Sequence, residues 1–234
     1  MKKNFLIPNL TLFEKLLWGF SVFSIVIIYL IVPQKNPITL IATLVGVTSL
    51  IFTAKGHLSG QILMLAFCVL YAIVSLKFKY YGEAITYMLM TFPSDLIATI
   101  SWIKNPSSSA KSQVKIEHLT PKKTLIASFI TLVTTVVFYF ILRALNTANL
   151  EISTISVATS MISSIFTIMR LPYYALGYAA NDIVLIIMWI LASIKNPIYV
   201  PMILNFVIFL ANDLYGFFNW KKMRTQQEDL GGRR

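Results

Sequence analysis

Three aspartates stand inside long apolar runs: Asp95 in YMLMTFPSDLIATISW, Asp182 in YAANDIVLIIMW and Asp213 in FVIFLANDLYGFFNW. An acid at the centre of a bilayer-spanning helix costs roughly 2.5–3.5 kcal/mol, so each must face a cavity or a polar partner. Polar and aromatic residues accompany them at helical spacing, where positions i, i+3 and i+4 share a face. Tyr87, Thr91, Ser94, Asp95, Ala98 and Trp102 form one such face. Asn205, Phe209, Asn212, Asp213, Gly216 and Trp220 form a second, and Tyr174, Tyr178, Asn181 and Asp182 a third. Residues of these types suit recognition: carboxylates and amides accept hydrogen bonds from sugar hydroxyls or a base edge, while tyrosine rings stack on an aromatic ring. The candidate substrate-binding set is therefore Asp182, Asp95, Tyr178, Tyr174, Asn181, Tyr87, Asn205, Asn212, Asp213 and Ser94. The same side chains could instead join helices as polar glue, and the residues alone leave both readings open.

Catalytic chemistry has no comparable footing. His57 and His118 stand in loops without Cys or acidic partners at ligand spacing, so neither a metal nor another cofactor is expected. There is no phosphate-cradling glycine loop, and no Ser/His/Asp set can be assembled from the spans. The single cysteine, Cys68, lies in an apolar run. The sequence reads as a non-enzyme.

The elements that position these residues follow from composition. Hydrophobic residues make up 57% of the chain and charged residues 12%, against roughly 45–50% and 25% in soluble domains. Too few charges remain to cover a water-soluble surface. The net charge of +11 is a topology signal rather than the mark of a nucleic-acid partner. Eight apolar stretches, near 12–32, 37–54, 60–76, 82–103, 123–145, 152–169, 172–194 and 198–220, are each about long enough to cross a bilayer core of ~30 Å. Short punctuated connections join most of them, and a polar, Ser- and Lys-rich linker runs from Asn105 to Lys123. With eight spans both termini lie on one side. Only Lys35, Lys77, Lys79, Arg143 and Lys195 of the 20 lysines and arginines then fall on the other side, which makes the terminus side cytoplasmic. Trp102 and Trp220, beside Lys104 and Lys221, are expected in the cytoplasmic aromatic belt, and Arg143 and Arg170 are expected to snorkel to the headgroups.

The chain also repeats itself. Asp95-Leu96, five residues, then Trp102 recurs as Asp213-Leu214, five residues, then Trp220, an offset of 118. Upstream, Ile51-Phe52-Thr53 recurs as Ile165-Phe166-Thr167 at an offset of 114. Four spans restore the starting orientation, so the halves would be parallel repeats related by an axis along the membrane normal. Transporters are built this way, with substrate held near the midplane between the repeats.

Leu44 to Gly56 (LVGVTSLIFTAKG), Tyr81-Gly82-Glu83, Asp182 to Trp189 (DIVLIIMW) and, most specifically, YGFFNWKK from Tyr215 to Lys222 together resemble the PnuC family of vitamin transporters. The resemblance covers nearly the whole chain. It implies an all-α membrane protein of eight helices in a SWEET-like arrangement: an extra N-terminal helix (1–36), a three-helix repeat (37–104), a cytoplasmic linker (105–122), a linking helix (123–147), a second three-helix repeat (148–222) and a tail (223–234). It also implies residence in a bacterial cytoplasmic membrane, oligomers such as trimers, facilitated diffusion, and trapping of product by a cytoplasmic kinase. Against the pattern of nicotinamide riboside members, Phe67 replaces an Asn, Asp95 a Gln and Asp182 an Asn, while Ala175 and Tyr178 stand where tryptophans do. Those departures make a (deoxy)nucleoside the preferred substrate expectation, with nicotinamide riboside or a thiamine-like vitamin as the alternative. From a different class, a substrate-binding membrane subunit of an ATP-driven importer is the runner-up.

Overall fold

The computed structural model describes residues 7–32, 36–77, 80–108, 112–147, 149–195 and 197–231. The connections at 33–35, 78–79 and 196 and the basic residues at 2, 3, 233 and 234 lie outside the described residues.

One acid starts the first helix and docks it. Thr11 and Glu14 form a reciprocal cap on α1 (Leu12–Ile31), with Thr11 N–H donating to Glu14 Oε2 at 2.6 Å and Glu14 N–H to Thr11 Oγ1 at 3.3 Å, satisfying two donors that a helix start leaves orphaned. Glu14 is fully buried. Its other oxygen accepts from the Tyr215 hydroxyl and pairs with Lys55 Nζ at 3.1 Å.

α2 (Pro37–Ala54) has Asn36 as its cap and proline in its first turn, where a missing N–H costs nothing. It turns into α3 (Leu58–Lys77) through Gly56, whose φ of +61° suits a residue without Cβ. After α6 (Pro121–Ala144) come α7 (Leu150–Ile168), α8 (Tyr174–Lys195), a short 3-10 turn (Pro197–Tyr199) and α9 (Val200–Gly231).

Seven of these helices, α1 to α3 and α6 to α9, are long and apolar enough to cross a membrane. The stretch expected as a span at 82–103 is built of α4 (Tyr81–Thr86), a π-helical turn at Tyr87–Thr91 and α5 (Phe92–Lys104). Pro93 is the physical cause. Its nitrogen cannot donate, and its ring crowds the carbonyl four residues back; the wider turn relieves this, and Phe92 N–H reaches back to Tyr87 O. Large apolar side chains line the outside, as on α6, where Leu125, Phe129, Leu132 and Phe140 are exposed. That is a surface made for lipid.

Small and hydroxylated residues set the α7–α8 contact. Ser156 and Thr159 hydroxyls both donate to Asn181 Oδ1, each at 2.9 Å. A Cβ on Gly177 would fall 2.2 Å from Ser163 Oγ. We expect Gly177→Ala to destabilise by about 1–3 kcal/mol, the range for overpacking. Adding Ser163→Ala should recover most of it, which a double-mutant cycle of unfolding midpoints in detergent would measure; equal losses in the single and double variants would refute the contact.

On the terminus side, the linker is a strap and not a free polar loop. Val114 N–H donates to Gly56 O at 2.9 Å, and the Gln227 side chain of α9 clips Ile116 N–H and Val114 O at 3.0 and 3.1 Å. Arg170 does not snorkel: its φ is +59°, its guanidinium donates to Ser101 Oγ at 2.8 Å, and it pairs with Glu117 at 3.4 Å. Burial alone would raise the Glu117 carboxyl, but Lys123, then Arg170 and Lys115, hold it below its ordinary value of 4.5. A lowered native pKa gives stability that is present above the ordinary value and lost as pH falls through the native one. The Tm advantage of wild type over Glu117→Gln should therefore shrink as the pH falls through and below the ordinary value of 4.5; a constant difference would show that the ion pairs contribute nothing.

Candidate functional site

The divided helix and α8 and α9 bring the three aspartates to one place. A cavity of about 50 Å³ is lined by Asp95 of α5, Asp182 of α8 and Asp213 of α9. All three are at most 5% exposed. Tyr87 from the π turn, Tyr178 one turn before Asp182 and Asn181 immediately before it complete the polar lining with Thr91 and Ser160. Asp182 and Asp213 face each other across the α8–α9 contact. The Asp182 Oδ2 is buried and accepts no hydrogen bond from the described residues. Asp95 Oδ2 accepts from the Cys68 thiol at 3.4 Å, and the Tyr178 hydroxyl meets Ser164 Oγ at 3.1 Å.

The remaining wall is aromatic and apolar: Phe67, Phe206 and Phe209, with Leu50 and Met64. Phe67 packs against Phe209 and Tyr87 with ring centroids 5.7 and 6.1 Å apart, and Tyr71 stands behind Tyr87 at 4.3 Å. Gly46 makes room for these rings, since a Cβ there would lie 2.8–2.9 Å from Phe209 and Phe67. No lysine or arginine lines the cavity, and among the described residues none pairs with its acids. Buried carboxyls without a cationic side chain, beside aromatic rings, form an environment that an organic cation would balance.

Six of the ten candidate residues meet here: Asp95, Asp182, Asp213, Tyr87, Tyr178 and Asn181. Tyr174 lies toward the terminus side, its ring 4.7 Å from Trp220. Ser94 is buried outside the cavity lining. Asn212 turns toward α1, donating to Ser21 Oγ at 3.4 Å and to Ile208 O at 2.8 Å. Asn205 lines a different cavity, between α9 and α1.

Leu50, Met64, Ser160 and Phe206 were not among the candidates. The internal repeat carries a signal for two of them: the 114-residue offset maps Tyr178 onto Met64 and Ser160 onto Gly46. Trp102 and Trp220 are not a lipid-facing belt. They are 2% and 0% exposed, their rings lie 5.4 Å apart, and each indole N–H donates to a backbone carbonyl, of Thr167 and Thr53 respectively.

Residues 36–222 match the nicotinamide mononucleotide transporter family. The chain is 29% identical over 188 residues to the nicotinamide riboside transporter PnuC of Neisseria mucosa, covering 78% of this chain and 71% of that one. It is 24% identical over 187 residues to the PnuC of Haemophilus influenzae, covering 80% of each. The crystal structure of the vitamin B3 transporter PnuC superposes with a TM-score of 0.83 at 25% identity, over 96% of this chain and 97% of that one.

Proposed function

The chain belongs to the nicotinamide mononucleotide transporter family of membrane transporters, and on that premise we propose that it carries nicotinamide riboside across the bilayer through the cavity of Asp95, Asp182 and Asp213. The single observation that carries this reading is the set of three buried carboxyls with no cationic side chain lining their cavity. Nicotinamide riboside brings a positively charged pyridinium ring for the carboxyls and the aromatic wall, and ribose hydroxyls for Asn181 and the tyrosines. A neutral (deoxy)nucleoside leaves those acids unbalanced. The relatives, both named for nicotinamide riboside, favour that alternative over the (deoxy)nucleoside preference drawn from the substituted positions.

The reading carries an architecture with it. Residues 81–104 span about 36 Å as helix, enough for α4, the π turn and α5 to form an eighth crossing. Two pairs of hydrogen bonds support parallel repeats exchanged by a two-fold axis between the tryptophans. Trp102 Nε1 donates to Thr167 O as Trp220 Nε1 does to Thr53 O. Ser101 Oγ donates to Ile168 O as Asn219 Nδ2 does to Ala54 O. Each pair is interconverted by the offsets of 118 and 114. The cavity is too small for a nucleoside, so transport requires the halves to part around it, and we expect uncoupled movement in either direction with both termini in the cytoplasm.

Calorimetric titration of purified protein with nicotinamide riboside, thymidine and thiamine tests the assignment. Nicotinamide riboside should bind most tightly; tighter binding of thymidine would restore the nucleoside reading, and binding of none would remove the cavity as a substrate site.

A further inference from the structure

Among the described residues, the polar contacts that fasten α1 to the bundle lie in its first half. Glu14 meets Tyr215 and Lys55, Trp18 Nε1 donates to Thr48 Oγ1 at 3.1 Å, and Ser21 Oγ accepts from Asn212 at 3.4 Å. Ile25 is the last buried residue of the helix. Beyond it, α1 and the first turns of α2 and α9 line an open-sided cavity of about 420 Å³ on the side away from the termini. That volume lies within the range that holds small organic ligands.

The walls are hydrocarbon, from Ile25, Ile28 and Val32 of α1, Leu40 of α2, and Met202 and Ile208 of α9. Asn205 interrupts them. It is 6% exposed, and its enclosed Oδ1 accepts no hydrogen bond from the described residues; Thr39 Oγ1 is likewise enclosed without a partner. A buried amide without a partner is costly, so two such groups in one apolar cavity point to an occupant with polar atoms at that depth. Lys77 stands at the rim, and no carboxylate of the described residues pairs with it.

We propose that this cavity seats one anionic phospholipid, with an acyl chain between α1 and α9, its phosphate on Lys77 and its glycerol ester and hydroxyl groups against Asn205 and Thr39. Depth agrees with the order of those groups. Asn205 lies five residues into α9, about 7–8 Å along its axis, where ester groups lie below a phosphate held at the helix ends. The charge at the rim selects against a cationic vitamin, so the occupant differs from that of the acid cavity. α9 separates the two sites: Asn205 and Ile208 face the lipid, while Phe206, Phe209 and Asp213 face the acids.

Native mass spectrometry of the full chain in detergent, with added phosphatidylglycerol or phosphatidylcholine of the same chains, tests this. We expect one phosphatidylglycerol retained per chain, preferred over phosphatidylcholine by about fivefold, the effect of one lysine near an anionic lipid. Lys77→Gln should abolish the preference. Ile28→Trp, which fills the cavity from a helix that faces lipid, should abolish retention while leaving the Kd for nicotinamide riboside unchanged. Should Ile28→Trp fail to fold, Thr39→Leu offers the same obstruction from α2. Equal retention of the two lipids, or retention that survives both filling variants, would overturn the proposal. So would displacement of the lipid by inorganic phosphate alone or by nicotinamide riboside.

Discussion

Asp182→Asn is expected to weaken nicotinamide riboside binding by about 10- to 150-fold while the protein stays folded. The figure is that of one charge-assisted hydrogen bond, roughly 1.5–3 kcal/mol. The substitution keeps the size of a side chain whose Oδ2 accepts no hydrogen bond from the described residues. It removes a charge from an apolar cavity, so the fold should gain rather than lose. Asp213→Asn should cost about as much, because Asp213 faces Asp182 in the same cavity. Calorimetry on folded protein whose unfolding midpoint is at least that of wild type decides it; unchanged affinity in both variants would return the acids to the role of polar glue.

Trp220→Ala should have the largest effect on stability, about 3–5 kcal/mol, as for other buried aromatic truncations. Its ring is fully buried, lies 5.4 Å from Trp102 and 4.7 Å from Tyr174, and its indole N–H satisfies Thr53 O at 2.8 Å. Trp220→Phe keeps most of the packing and loses the hydrogen bond, so it should cost only about 1 kcal/mol. Unfolding midpoints in detergent separate the two; a loss below about 1 kcal/mol for Trp220→Ala would mean that the ring can leave for the lipid interface at no cost.

The acids were legible because charge inside an apolar run has few explanations, and the repeat placed two of them on corresponding helices. The helical faces were read too broadly. A residue advances about 100° around a helix, so eight residues drift by about 80° and about 12 Å. Tyr174 and Asn205 each stand eight residues from their aspartate and have turned or moved off the cavity. Ser94 and Asn212 precede Asp95 and Asp213 by one residue and lie off the cavity, Asn212 binding α1, whereas Asn181, at the same offset from Asp182, lines it; the spacing alone does not separate these cases. Leu50, Met64 and Phe206 were silent because apolar residues in an apolar span carry no positional signal. The break at Tyr87–Thr91 follows from Pro93, but its form, a π turn carrying Tyr87 into the cavity, depends on how the chain reroutes its hydrogen bonds. The strap across the terminus side was hidden in a Lys- and Ser-rich stretch whose partners, Arg170 and Gln227, lie far along the chain.

Uptake of radiolabelled nicotinamide riboside into liposomes containing this protein alone tests the central claim most directly. Wild-type protein should equilibrate the label and support counterflow without an imposed ion gradient, excess thymidine should compete poorly, and Asp182→Asn at the same substrate concentration should be slowed severalfold or more. Folded wild-type protein that moves no nicotinamide riboside, or uptake that is indifferent to both Asp182→Asn and Asp213→Asn, would contradict it.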